Sequence, residues 1–267
     1  MQKLTDALIK NLRDPKAIFN VVVLDMQGIV FRYTPIQGIS FANTITPEQG
    51  KEGEEIYQRA IAEFHRDNVS ETTPLALSSC VPYQLWLEER LVEDILNHMD
   101  APCGLEFNVN AARFILDAFE RSACRLNDEP DVYQLVVLSS SRISTSRMLL
   151  EKCLTGIGLG DNPITHLPRQ HECGFLLPTA SEALDYISFY NMSEFGSKRD
   201  PNAWRKALEA AVNPYYLSRN NVTLSTIIED QPEKCRAAVA AATSLCYKPV
   251  SHNQINSDTQ LTTNHTL

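Results

Sequence analysis

The sequence predicts a doubly wound α/β fold: a mainly parallel sheet of Rossmann type with helices on both faces. Three short apolar runs, 19–24, 133–138 and 222–228, have the length and the unbroken hydrophobicity of strands buried on both faces. Patterns of helical periodicity lie between them, and that alternation is the signature of a layered α/β core. A long stretch with helical signals alone follows the first run, which predicts an inserted cap where a simple crossover would suffice. The expected organisation is a core of residues 1–36 and 107–247, a helical cap at 37–106 and a disordered tail at 248–267.

The opening segment, MQKLTDALIKNLRDPKAIF, carries charges throughout and reads as a short amphipathic helix, not a signal peptide. The first strand follows and ends at Asp25, with a glycine turn at Gly28. In the cap, Thr46-Pro47-Glu48-Gln49 combines a capping threonine, proline in the first turn and glutamine three residues after the cap, a good helix start. Ile56, Ala60 and Phe64 then share one face. A second cap helix from about Pro82 repeats Leu87, Leu91, Ile95 and Met99 in steps of four. The helix from Val109 to about Arg121 belongs to the core and leads through the polar link LNDEPD into the second strand, after which 144–154 is again amphipathic. Residues 155–182 are rich in turn-formers and weakly periodic, as expected of a long surface excursion. The polar, Asn/Thr-rich composition beyond Lys248 predicts disorder.

Bulk properties narrow the function. The 267 residues carry a formal charge of −9 and a pI near 5.2, with no Lys/Arg-rich run, which argues against a nucleic-acid binder held by phosphate contacts. No segment approaches the roughly 20 apolar residues of a membrane span. Seven cysteines, Cys80, Cys103, Cys124, Cys153, Cys173, Cys235 and Cys246, are odd in number and form no CxxC pair. That argues against a disulfide framework or zinc ribbon and predicts reduced thiols in a cytoplasmic protein. The N-x-S/T triplets at Asn68, Asn191, Asn221 and Asn264 carry little meaning on that reading.

Four places bear residues suited to chemistry. Asp25 stands where an apolar strand ends and the chain turns, the position at which a doubly wound sheet presents its ligand-binding groups. The second strand ends LVVLSSSR, so Ser139, Ser140 and Ser141 reach the carboxyl edge of a neighbouring strand, where hydroxyls and main-chain N–H groups can hold phosphate oxygens. Lys198 lies just ahead of a helix capped by Asp200 and opened by Pro201, so its ammonium could neutralise substrate and nucleophile charge. The third strand ends in Glu229 and Asp230, adjacent carboxylates of the type a hard cation such as Mg²⁺ accepts. Taken singly, each has a plainer explanation: a turn-capping aspartate, a serine-rich turn, a solvated loop lysine, an acidic strand end.

Their order along one chain is more specific. An apolar strand with Asp, then one with Ser, then Lys before Asp-Pro and a helix, then a strand ending Glu-Asp, resembles the haloacid dehalogenase (HAD) superfamily of hydrolases. The branch resembled has a helical cap inserted after the first motif. Lys198-Arg199-Asp200-Pro201 stands where such proteins often carry K-P-D-P, and Glu229-Asp230 before Cys235-Arg236-Ala237-Ala238 stands where they carry E-D-S and a helix with paired alanines. The resemblance covers most of residues 18–246. The stretch from Ser139 to Lys198 is longer than the family pattern, and the excess falls on 155–182.

The resemblance implies that Asp25 is a nucleophile and Mg²⁺ ligand, with the main-chain carbonyl of Gln27 and the Asp230 carboxylate completing the protein's share of the metal shell. It further implies that Glu229 assists directly or through water, that Ser139, with Ser140 beside it, binds the transferring phosphoryl group, and that Lys198 stabilises the charge shared by nucleophile and phosphate. The departure is Gln27. The family's phosphatases carry an aspartate there, which protonates the leaving oxygen and then activates water; an amide cannot gain and lose that proton. Ile29 also replaces a hydroxyl-bearing residue.

Two functions are therefore expected. One is a Mg²⁺-dependent hydrolase of a small phosphorylated metabolite, weakened or altered at Gln27. The other is a catalytically silent pseudoenzyme that binds a phosphorylated ligand or a protein partner. Other signals are weaker. His166, His171 and Cys173 match no strong zinc spacing; Cys235 reads as a small buried hydrophobe; Trp86 and Trp204 read as packing residues; and no G-x-S-x-G elbow accompanies the serine run.

Overall fold

The computed structural model describes residues 4–33, 105–124, 131–156, 178–216 and 222–261. Residues 37–104 of the proposed cap and most of the 155–182 excursion lie outside the described residues. The elements run α1 (Leu4–Leu12), β1 (Ile18–Leu24), β2 (Phe31–Tyr33), β3 (Leu105–Phe107), α2 (Val109–Cys124), β4 (Asp131–Ser139) and α3 (Ile143–Gly156). They continue with α4 (Ala180–Leu184), β5 (Ile187–Asn191), a short 3₁₀ turn at Met192–Glu194, α5 (Pro201–Tyr216), β6 (Val222–Ile228), α6 (Pro232–Ser244) and β7 (Val250–His252).

Five strands form one sheet in the order β5-β4-β1-β6-β7, and every neighbouring pair is parallel. From β1 the chain builds outward through β4 to β5, then crosses back to place β6 on the other flank. The strand order thus reverses at β1, and ligands of open α/β sheets collect outside the carboxyl ends of the strands at such a point. This is the doubly wound architecture that the alternating pattern predicts.

The apolar runs are unbroken because both faces are covered. Val22 and Leu24 of β1 with Tyr133, Leu135 and Val137 of β4 face the core under α1, α2, α3 and α4. Phe19, Val21 and Val23, with Val132, Val136 and Leu138, face the opposite core under α5 and α6. Alternate residues enter alternate layers, the period-2 geometry of a strand. Helices fit small faces to this sheet: Ala203, Ala207, Ala211, Ala237, Ala238, Ala241 and Ala242 are buried in the second layer, and a methyl side chain lets a helix sit close to the strands.

Two expectations need correction. The segment beyond Lys248 is not wholly a disordered tail: β7 pairs with β6 through Thr226 to Val250 and Ile228 to His252, and Ile255 and Leu261 are buried in the first core. Composition concealed this because the strand has three residues and only two apolar side chains anchor the stretch that follows. The thiols are likewise not all reduced: Cys124 is disulfide-bonded, while Cys153, Cys235 and Cys246 are free. The cytoplasmic expectation rested on reduced thiols, and this bond removes that support. Cys235 is buried in α6, as its reading as a small hydrophobe requires. Among the described residues no helix is long and apolar enough to cross a membrane.

Candidate active site

At the carboxyl edge, β1 does not stop abruptly. The Asp25 N–H donates to the Ile228 carbonyl at 2.9 Å, which carries the β1–β6 ladder one residue further and fixes the direction of the Asp25 side chain. The chain then folds back on itself: Val30 N–H reaches the Met26 carbonyl at 2.8 Å, and Gly28 N–H reaches that of Phe31 at 2.7 Å. Asn108, just ahead of α2, ties this turn down by donating through its amide to the carbonyls of Ile29 (2.9 Å) and Ile255 (3.0 Å).

Gly28 has φ +85°, a left-handed conformation that side chains other than glycine's disfavour. Space excludes a side chain as well. A Cβ at Gly28 would lie 2.4 Å from Oδ2 of Asp230. The absence of a side chain at Gly28 is therefore what admits the Asp230 carboxylate alongside the Asp25 loop.

Four charged groups converge here. Lys198 Nζ donates to Oδ1 of Asp25 at 2.5 Å and to Oε2 of Glu229 at 3.0 Å. All three residues are buried, Glu229 completely. The other oxygen of Glu229 accepts from the Gln231 N–H at 3.4 Å and lies 3.8 Å from the ammonium of Lys234 in α6. Asp25, Glu229 and Asp230 each offer a carboxylate oxygen, and these atoms lie within 4.8 Å of one another. Buried carboxylates repel, so the cluster is tolerable only with cations among them.

Burial pushes the Asp25 carboxyl above its ordinary pKa, aided by the Glu229 charge and opposed by Lys198. Burial also works against the Lys198 ammonium, yet the Asp25 and Glu229 charges and hydrogen bonds hold its pKa above the ordinary lysine value. Lys198 therefore stays charged across the neutral range.

The residues present fit a hard divalent cation. Oδ1 of Asp230 is buried with no hydrogen-bond partner among the described residues, an orphaned acceptor that costs free energy unless something positive meets it. Asp25 and Asp230 are the residues that would hold the ion. Glu229, with one oxygen committed to Lys198, is better placed to fix that lysine than to serve as a main ligand.

The remaining expected site residues fall as follows. Ser139 ends β4 and is buried; Leu24 of β1 pairs with Val137, so Ser139 and Asp25 sit on adjacent strands at one edge. Its hydroxyl accepts from the Ser141 N–H at 3.1 Å, which shapes the turn. Ser140 is exposed beside it, and Gln27 is exposed at the loop with its backbone bridged to Phe31.

Two neighbours escaped the sequence reading. Lys234 supplies a second cation near Glu229. Trp204, expected only to pack, also donates its indole N–H to the Lys198 carbonyl at 2.7 Å and holds its ring 5.8 Å from the Lys198 ammonium. The six-residue offset from Lys198 into the first turns of a helix opened by Asp200-Pro201 was the available signal.

No protein-family model matches the chain, and no curated protein matches it. Among solved structures, the chain is similar to the HAD domain of the effector protein Lem4 from Legionella pneumophila, at 12% identity and a TM-score of 0.40, over 92% of this chain and 91% of that one. The parallel sheet brings Asp25, Lys198, Glu229 and Asp230 together at one edge, as the positions of these residues at strand ends and a helix start lead one to expect.

Proposed function

We propose that the protein is a HAD-like, Mg²⁺-dependent hydrolase of a small phosphorylated molecule, with turnover slowed by Gln27. The observation that carries this reading is the Asp25–Lys198–Glu229 ion-pair network beside the unpartnered Asp230 oxygen. A site built for neutral ligands would not gather three carboxylates and a buried ammonium at a strand-order reversal.

In this reading an oxygen of Asp25 attacks phosphorus in line with the ester oxygen, the P–O ester bond breaks, and an aspartyl phosphate forms. Lys198 touches the attacking carboxylate and offsets the negative charge that nucleophile and phosphoryl group bring together. Ser139, Ser140 and the N–H groups of the turn after β4 hold phosphoryl oxygens. A bound Mg²⁺ would supply Lewis-acid neutralisation of those oxygens. Water then attacks phosphorus and returns Asp25 to a free carboxylate.

Both steps need a proton moved: onto the leaving oxygen, then off the water. Gln27 can donate a hydrogen bond but cannot transfer a proton at neutral pH. General acid–base help is worth about 10² to 10⁴ in rate, so good leaving groups are cleaved and poor ones hardly at all. The exposed amide of Gln27 also favours a second reading, a pseudoenzyme that binds a phosphorylated ligand or a protein partner without turnover.

Hydrolysis of p-nitrophenyl phosphate with Mg²⁺, by the parent, Asp25→Asn and Gln27→Asp, separates them. Parent activity that disappears in Asp25→Asn supports the hydrolase. Turnover by Gln27→Asp alone identifies a binder with a preserved pocket. Inactivity of all three removes the assignment.

A further inference from the structure

The Lys198 side chain enters the site from a loop, not from a rigid element, yet it must hold two carboxylates in a buried setting. Its main chain is tied at one point by a side chain: the indole N–H of Trp204 donates to the Lys198 carbonyl at 2.7 Å. Trp204 is 1% exposed and packs in the second core with Ala207, Leu208 and Val212. Its backbone N–H is bonded to the Asp200 carbonyl at 3.2 Å, so the residue belongs to the first turn of α5. One rigid side chain thus spans from the helix core to the loop, and the same ring lies 5.8 Å from the ammonium, within the range of a cation–π contact.

From this geometry we propose that Trp204 is a positioning residue: it fixes the height of the Lys198 backbone so that the ammonium spans Asp25 and Glu229, and its ring face closes the side away from them. A tryptophan kept for volume alone would need no donor aimed at this carbonyl. The assignment concerns the buried network itself, and its consequence for phosphate binding rests on the function proposed above.

Two measurements keep those claims apart. The first is a denaturant-unfolding cycle of the parent, Trp204→Phe, Lys198→Met and the double variant. Trp204→Phe keeps an aromatic ring and removes the donor; Lys198→Met removes the ammonium and keeps the carbonyl. If Trp204 acts through the ion pairs, its replacement shifts the folding equilibrium about fivefold or more further with Lys198 present than with Met there. Additive effects overturn the proposal, because a packing role is indifferent to the ammonium. Should Trp204→Phe fail to fold, β-(3-benzothienyl)alanine at position 204 replaces the N–H by sulfur at nearly constant shape and completes the same cycle.

The second measurement is calorimetric binding of inorganic phosphate in the presence of Mg²⁺. Trp204→Phe is expected to weaken phosphate about five- to tenfold and Mg²⁺ alone by less, since Trp204 reaches the proposed ion ligand Asp25 only through Lys198 while Asp230 is untouched. Absence of phosphate binding by the parent overturns the proposed function, and the unfolding cycle still decides the role of Trp204.

Discussion

The two ends of the central sheet use buried polar groups in opposite ways. At the amino edge, Asn20 of β1 donates its amide to Oδ1 of Asp131 on β4 at 2.6 Å and accepts from the Thr223 hydroxyl of β6 at 2.8 Å. That chain of bonds sews three strands together. At the carboxyl edge, Asp25 just after β1 meets Lys198, which also pairs with Glu229, and Asp230 beside them keeps a buried oxygen with no hydrogen-bond partner among the described residues. One edge uses polar groups to join strand to strand, and the other gathers charged side chains around a buried ammonium. Burial alone does not distinguish the two: what differs is that one set links three strands through a side-chain amide and the other pairs carboxylates with an ammonium.

The sharpest way to break this contrast is at the carboxyl edge. Gln27→Asp is expected to raise Mg²⁺-dependent phosphoester turnover by about 10² to 10⁴, with the larger gain on substrates of poor leaving group, as steady-state kinetics will show. Next in size is Lys198→Met. It leaves Asp25 and Glu229 buried with their main cation gone, and denaturant unfolding is expected to show a loss of about 3–5 kcal/mol, partly restored by Mg²⁺.

Gly28→Ala sets the new methyl against Asp230 and imposes the left-handed conformation on alanine. Stability should fall by about 1–3 kcal/mol, and the stabilisation that Mg²⁺ gives in thermal unfolding should disappear. At the amino edge, Asn20→Ala should cost a similar or smaller amount, about 1–3 kcal/mol for the partners left unbonded. Here the thermal shift given by Mg²⁺ should persist. A loss of that shift would erase the distinction between the two ends.

The smallest effect probes the first core, where the Cys153 thiol lies behind the Asp25 turn against the carbonyls of Val30 and Asn108. Burial pushes the Cys153 thiol up to about 12 from an ordinary 9.0. A raised folded-state value means that the thiol contributes full stability below pH 9 and loses it as pH climbs towards 12. At pH 8, Cys246, being exposed, should react with iodoacetamide in the folded chain, while buried Cys153 reacts only once the chain unfolds.

Strands β1, β4 and β6 were legible in the sequence because both faces are buried, and such strands write themselves as continuous apolar runs. β5, Ile-Ser-Phe-Tyr-Asn, lies at the sheet's edge with mostly half-buried residues, so nothing in its composition separates it from a loop. β7 is shorter still and mostly exposed. Asp25, Lys198, Glu229 and Asp230 could be picked out because each sits at the end of a recognisable strand or the start of a helix. Lys234 and Trp204 could not, since their roles depend on which side of a helix meets the site, and that is decided by the packing of α5 and α6. The half-committed state of Glu229 was equally invisible, for two adjacent acids look alike until one of them finds a lysine.

The antiparallel pairing of β2 with β3 sets Phe31 opposite Phe107 and Tyr33 opposite Leu105. Tyr33 and Leu105, far apart in sequence, are therefore register partners on hydrogen-bonded neighbouring strands. A hairpin turn joining Tyr33 to Leu105 would connect β2 to β3 without altering the route of any other described strand.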